Sequence, residues 1–260
     1  MYHQLPPNFL YSAHLLKVIF NDSSGSTKEI LGTGFILAIK DDVPMIITNR
    51  HIVELDYKQP TAKYKDYSLS ELYITGRRAD DTTYSFRIAP SAKVFYSDII
   101  ENDIALIESK IYADTSNQDG WHFYFNLEHL ATKEVFDNQL EPYDDVAFAG
   151  FPNSYDKVAN RPILRSGKIA SDPKYDYSWS SSFEGNCVAY EAFSSEGTSG
   201  SPVFAPPKGD LEMPRSRDGY LVGINAGHLK DPDFYSGHSG ISYFYKSTVI
   251  WDILHKEGLI

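Results

Sequence analysis

EGTSGSPVF, residues 196–204, sets two glycines and two serines within five positions, then a proline, then a β-prone run. Gly, Ser and Pro build surface turns, so a plain turn is one reading. The other is that the bend presents Ser199 as a nucleophile, with backbone N–H groups of the same bend converging on one point. A turn implies nothing elsewhere in the chain. A nucleophile requires a base and a group to orient that base, so the rest of the sequence discriminates between them.

Of the eight histidines, His51 has the most suggestive surroundings: it follows the apolar run PMIITN (44–49), in TNRHIV, where a strand ends and the chain turns. A loop histidine at a strand end is well placed to face a cleft, although a structural histidine fits there too. His3 and His14 lie near the start, and His255 falls in the last apolar segment. ENDIALIES (101–109) then brings Asp103 into an alternating apolar run. A carboxylate entering such a run needs a partner, because burying it alone is costly. An imidazole N–H is the natural one, and it would fix the tautomer of a histidine base. The alternative is an Asp that caps a turn before the strand.

The bulk numbers narrow the function classes. With 260 residues the chain can form one large or two small domains. Its 42% hydrophobic and 23% charged residues are those of an ordinary soluble globular protein. A net charge of −11 argues against nucleic acid as a partner, since phosphate binders concentrate Lys and Arg. The single cysteine, Cys187, allows no intrachain disulfide, which leans toward a reducing compartment and a cytoplasmic address. In NCVAYEAF (186–193) it reads as a small buried hydrophobe rather than a nucleophile. The first twenty residues lack a basic n-region and a signal-peptide pattern. No apolar stretch approaches the ~20 residues of a membrane helix, so no membrane partner is expected.

Along the chain, short β-branched and aromatic runs alternate with turn residues, which predicts an all-β protein. LLKVIF (15–20), GTGFILAI (32–39), PMIITN, ELYITG (71–76), YSFRIA (84–89), AKVFY (92–96) and DIALIES (103–109) make one set. DDVAFAGF (144–151), GKIAS (167–171), CVAYEAF (187–193), SPVFAP (201–206), YLVGINAG (220–227) and ISYFYK (241–246) make a second. A less regular connection spans about 110–143, with a helix expected over NLEHLATKEVF (126–136). The segment STVIWDILHKEG predicts a closing helix over about 247–257, with Ser247 as cap and Gly258 beyond its end. The expected organisation is an N-terminal unit, 1–120, carrying His51 and Asp103, and a C-terminal unit, 121–260, carrying Ser199. Sandwich and barrel architectures both fit two units of about six strands.

The order His51, Asp103, Ser199 is one of the known serine-protease orders. GTGFILA (32–38), TNRHIV (48–53), NDIALI (102–107) and GTSGSPVF (197–204) resemble, in order and spacing, the marker segments of the trypsin/chymotrypsin-like serine endopeptidase family. FAGFP (148–152) and RSGKIAS (165–171) are similar to segments of its bacterial branch, which includes the HtrA-type proteases. The resemblance implies two perpendicular six-stranded antiparallel β-barrels with the site in the cleft between them. It implies Ser199 as nucleophile, His51 as general base and acid, Asp103 as orienter, and the N–H groups of Gly197 and Ser199 as oxyanion hole. It implies a polypeptide substrate and no cofactor. Phe193, Ser194, Asn225, Gly227 and His228 would line the substrate pocket.

The departures from the family pattern carry expectations of their own. Thr198 stands where the family motif commonly has an Asp, which in secreted members pairs with a new N-terminus after zymogen cleavage. That route is therefore not expected, and a regulatory protein partner that orders the loop 194–198 is. Ala226 replaces a Ser that supports the triad carboxylate, so Asp103 is expected to use other donors. Phe193 occupies the place of trypsin's acidic pocket residue, so cleavage after Lys or Arg is not expected. Phe193 favours a small or apolar side chain, and His228 with Ser194 and Asn225 could instead hold Glu or Gln. His228, Asp231, Asp233 and His238 share one segment, but their spacing matches no zinc pattern and no metal is expected. The rival readings are a silent peptide-binding module on the same fold and an acyl or ester hydrolase using the same triad.

Overall fold

A strand whose every second side chain is apolar can bury one face only by pairing into a sheet that curls over a core. In the computed structural model, which describes residues 5–40, 43–58, 62–112, 120–153, 156–209, 216–230 and 237–260, the chain does so twice. β1 (His14–Asn21) alternates buried and half-buried along its length. It pairs antiparallel with β2 (Thr27–Ala38) on one side and β4 (Ser68–Arg77) on the other. With β3 (Pro44–Thr48), β5 (Thr83–Arg87), β6 (Val94–Tyr96) and β7 (Ala105–Glu108), the order is β5-β4-β1-β2-β3-β7-β6. The sheet curls until its far parts meet. Ile88 bridges Ile111, and the Ala89 and Tyr112 N–H groups donate to the Lys110 and Arg87 carbonyls at 2.7 and 2.8 Å.

The second unit is a closed six-stranded barrel in the order β10-β11-β14-β13-β12-β9. Its strands are β9 (Asp145–Gly150), β10 (Ile163–Ile169), β11 (Cys187–Glu191), β12 (Pro202–Ala205), β13 (Tyr220–Lys230) and β14 (His238–Lys246). Between the two units the short β8 (Phe125–Asn126) pairs parallel with β2, so the hydrogen bonding of the first sheet runs past residue 120.

Helices are few and shorter than the sequence suggests. The helix expected over 126–136 is a 3-10 turn at Leu127–His129 followed by α2 (Lys133–Asn138). α1 (Arg50–Val53) is a single turn. The closing helix is α3 (Thr248–Lys256), with Gly258 beyond it at φ +63°. Ser247 does not cap it with its side chain. Its own backbone is already helical (φ −61°, ψ −19°), and its hydroxyl donates to the Ala131 carbonyl at 2.6 Å. A capping side chain needs an extended backbone at that position.

Three apolar clusters hold the molecule together among the described residues. One fills the first sheet around Leu16, Val18, Ile46, Ile74 and Phe86. A second fills the barrel around Phe148, Val188, Tyr190, Val203 and Phe244. The third lies between them, where Phe35, Leu37 and Phe125 meet Phe204, Leu221 and the apolar face of α3. Because both units contribute to this shared cluster, the cleft between them has packed walls.

Candidate active site

β3 ends at Thr48, Asn49 is extended, and α1 starts at Arg50, so His51 sits in the first turn of that helix rather than on a free loop. Asp103 lies two residues before β7. The His51 Nδ1 atom is 2.5 Å from Asp103 Oδ2, and the His51 backbone N–H donates to Asp103 Oδ1 at 2.9 Å. Both carboxylate oxygens are thus spent on one histidine, which fixes the ring and leaves Nε2 as the outward nitrogen. The backbone N–H supplies the extra donor that Asp103 was expected to need. Burial works to lower the His51 pKa, and the charge and hydrogen bond of Asp103 outweigh it, leaving the imidazole above its ordinary value.

Around this pair further hydrogen bonds fix the backbone that carries Asp103. Asn49 Nδ2 donates to the Asp103 carbonyl at 2.7 Å. Asn102 accepts the Asn186 N–H at 2.8 Å and donates to Asn186 Oδ1 at 2.9 Å, a reciprocal pair that ties the acid's loop to the second barrel.

Ser199 lies on the turn between β11 and β12. Gly197 and Gly200 bracket it at φ +91° and +89°, a region where a Cβ is strained. β2 of the first sheet docks on this turn: the Thr33 N–H donates to the Ser199 carbonyl at 2.9 Å, and Thr33 Oγ1 donates to the Gly197 carbonyl at 2.7 Å. Thr48, three residues before His51, donates to the Thr33 carbonyl at 2.7 Å. The turn and the His51 helix are therefore anchored on the same residue.

The Ser199 hydroxyl does not meet His51. It donates to the carbonyl of Ala226, in the β13 bulge between Asn225 and Gly227, at 3.1 Å. Meanwhile the Glu196 carbonyl accepts the Asn153 N–H at 2.9 Å. A trans peptide points its C=O and N–H in opposite directions, so the Gly197 N–H faces away from Asn153. Among the described residues neither it nor the Ser199 N–H has a protein acceptor. Two donors two residues apart, on a bend beside the Ser199 hydroxyl, can take the oxygen of a tetrahedral intermediate.

The expected pocket residues divide. Phe193 is 59% exposed, and its ring lies 4.8 Å from that of His238, which stacks on His228 at 4.2 Å. Burial, together with His228 and Arg165, pushes His238 down to about 4, and burial with Lys230 lowers His228. This ring stack is uncharged at neutral pH. Ser194 is buried, and Ser242 Oγ donates to its hydroxyl at 3.0 Å. Gly227 is half-buried beside Tyr243. Asn225 requires a correction: it is fully buried, and its amide is taken by Tyr190 and Thr198, so it cannot line the pocket.

Sequence reading also missed Thr33 and Asn102, whose parts come from contacts across 164 and 84 residues and leave no local mark. No cluster of three His, Cys, Asp or Glu side chains that could hold a metal occurs among the described residues. Asp231 and Asp233 lie outside them. Cys187 is buried and unpaired, and burial pushes its thiol far above the usual range, which leaves no thiolate.

Residues 32–211 match the trypsin-like peptidase domain. No curated protein matches the sequence. In fold the chain is similar to the protease Anisep from Arthrobacter nicotinovorans, at 13% identity over 95% of this chain and 96% of that one, with a TM-score of 0.58. It is also similar to AL20, a thermostable serine protease from an extremophilic microorganism, at 13% identity over 96% and 100% of the two chains, TM-score 0.55. Deg5 superposes at 16% identity over 95% and 88%, TM-score 0.50.

Proposed function

The chain belongs to the trypsin-like peptidase family, and we propose that it is a serine endopeptidase working through His51, Asp103 and Ser199. The observation that carries this reading is the double hydrogen bond from the His51 ring and backbone to Asp103, which leaves Nε2 free as a base. In the reaction the Ser199 hydroxyl turns from the Ala226 carbonyl to His51 Nε2. Its oxygen attacks the peptide carbonyl while Nε2 takes the proton. The carbonyl oxygen becomes an oxyanion, held by the N–H groups of Gly197 and Ser199. The intermediate collapses, the C–N bond breaks, and the leaving amine takes the proton from His51. Water then attacks the acyl-enzyme with His51 again as base, releasing the acid and restoring Ser199.

An uncharged P1 side chain suits the ring stack of Phe193, His238 and His228, which offers no carboxylate to a P1 Lys or Arg. One unpaired cysteine supports a cytoplasmic address. No helix among the described residues is long and apolar enough to cross a membrane.

The Ser199–Ala226 hydrogen bond favours a second reading, a silent peptide-binding module on the same fold. Labelling with a fluorophosphonate probe separates the two. Stoichiometric modification mapped to Ser199, absent in Ser199→Ala and His51→Ala, is the expected result. A well-folded chain that never labels overturns it. Parallel turnover of peptide and ester substrates tests the acyl-hydrolase alternative.

A further inference from the structure

We infer that Thr198, Asn225 and Tyr190 are the positioning residues that hold the oxyanion hole of this chain in working shape, so that it forms without an activating partner. The inference deepens the proposed endopeptidase reading and rests on it.

Thr198 carries no charge to pair with a free amine, yet it is buried, and every valence of its hydroxyl is used. A hydroxyl has one proton and two lone pairs. The proton goes to the Ser195 carbonyl at 2.6 Å. The lone pairs take the Ser195 N–H at 3.2 Å and the Asn225 amide at 3.2 Å. The Thr198 N–H also donates to the Ser195 carbonyl, at 3.0 Å, closing 195–198 into a tight turn.

Asn225 continues the chain of bonds. Its Nδ2 group also donates to the Thr198 carbonyl at 2.9 Å, and its Oδ1 accepts from the Tyr190 hydroxyl at 2.7 Å. Because one end of the amide faces a carbonyl, it must be the NH2 end, and the phenol must donate to the other. Tyr190 is wholly buried among Phe148 and Phe244, so its hydroxyl has no water to turn to. The Asn225 backbone completes the hold: its N–H donates to the Ser201 carbonyl and its carbonyl accepts from the Gly200 N–H, both at 2.9 Å. Residues on both sides of Ser199 are thus fixed to β13, and the turn that aims the Gly197 N–H is fixed at its base.

A buried network in which Thr198, Asn225 and Tyr190 satisfy one another leaves little slack for an alternative loop geometry, and its loss leaves buried groups unpaired. It does the ordering that an ion pair to a free N-terminal amine does in secreted relatives.

The test uses Thr198→Val, which keeps the shape and removes the hydroxyl, and Thr198→Ser, which restores it. Thr198→Val is expected to lower kcat on a peptide ester by ~10–100-fold with KM within about threefold, and Thr198→Ser to stay within about threefold of the unmodified chain. Affinity for a peptide trifluoromethyl ketone, which presents an oxyanion to the hole, should fall in step with kcat. Affinity for the corresponding product acid should not, a split that a general loss of stability does not produce. Asn225→Ala serves as an independent second variant, expected to behave as Thr198→Val does. Turnover by Thr198→Val within twofold of the unmodified chain overturns the inference, as does an unmodified chain whose labelling rate rises on adding a second protein or peptide ligand. An unmodified chain that never labels at Ser199 overturns the endopeptidase reading itself, and this inference with it.

Discussion

At the scale of single residues, Asp103 sets both the aim and the basicity of His51. Replacing it by Asn keeps the shape and removes the charge, and kcat is expected to fall by about 10⁴-fold. The pH profile gives a sharper check. On the proposed reading only the neutral imidazole acts as base, and its pKa stands above the ordinary value because Asp103 outweighs burial. The acid limb of kcat/KM therefore lies above the ordinary imidazole value in the unmodified chain and moves to lower pH in Asp103→Asn, where burial alone remains. An acid limb that stays in place would remove Asp103 from the proposed role. Gly200 offers a second residue-scale prediction. An added Cβ would sit 1.9 Å from the Thr33 carbonyl oxygen at φ +89°, whereas at Gly240, also at φ +89°, it would meet nothing within 4 Å. In urea denaturation Gly200→Ala is expected to cost ~3 kcal/mol or more and Gly240→Ala about 1 kcal/mol. The pairing of His51 with Asp103 could be read from the sequence because each sits in a motif of its own. Asn225 was misread because its surroundings, GINAG, say nothing of the Tyr190 hydroxyl above it.

At the scale of elements, β1 carries a histidine that the proposed mechanism does not use. His14 is wholly buried, with Nδ1 at 3.1 Å from the Ser12 carbonyl and Nε2 at 2.8 Å from the Tyr84 hydroxyl. Burial pushes its pKa down to about 4. A depressed pKa means the unfolded chain takes the proton first. The neutral ring's contribution is complete above about pH 6.5 and is lost as pH falls toward 4, by roughly 3 kcal/mol in all. Thermal unfolding of the unmodified chain and His14→Gln from pH 7 to 4 checks this, the unmodified chain being expected to lose more over that window. Equal losses would mean that another group drives the acid transition. Strand positions were legible because β-branched runs and turn residues mark them locally. Helix details were not: Ser247 looks like a cap in sequence, but the pull of the Ala131 carbonyl decides where its hydroxyl goes.

At the scale of the whole molecule, the two units meet through the shared apolar cluster and through the site. Thr33 is the join, since its hydroxyl donates to Gly197 and accepts from the Phe151 N–H at 3.0 Å, both in the second half of the chain. Thr33→Val keeps the volume and orphans both partners, an expected loss of ~2 kcal/mol in denaturant midpoint analysis together with slower acylation of Ser199. Destabilisation without slower acylation would make Thr33 a packing residue only. The two-unit organisation was legible from the two sets of strands. The seam that curls the first sheet, and the return of β8 to β2, were not, because a two-residue parallel pairing has no sequence period. The same long-range joins also order events in time. His51 and Asp103 are 52 residues apart, whereas Thr33 must wait for Gly197, 164 residues later. At ~5–20 residues per second, synthesis takes about 5–20 s to run from Asp103 to Ser199. On the proposed reading, a nascent chain holds a base with nothing to activate until Ser199 is made, and the neighbouring nascent proteins are safe from it for that long.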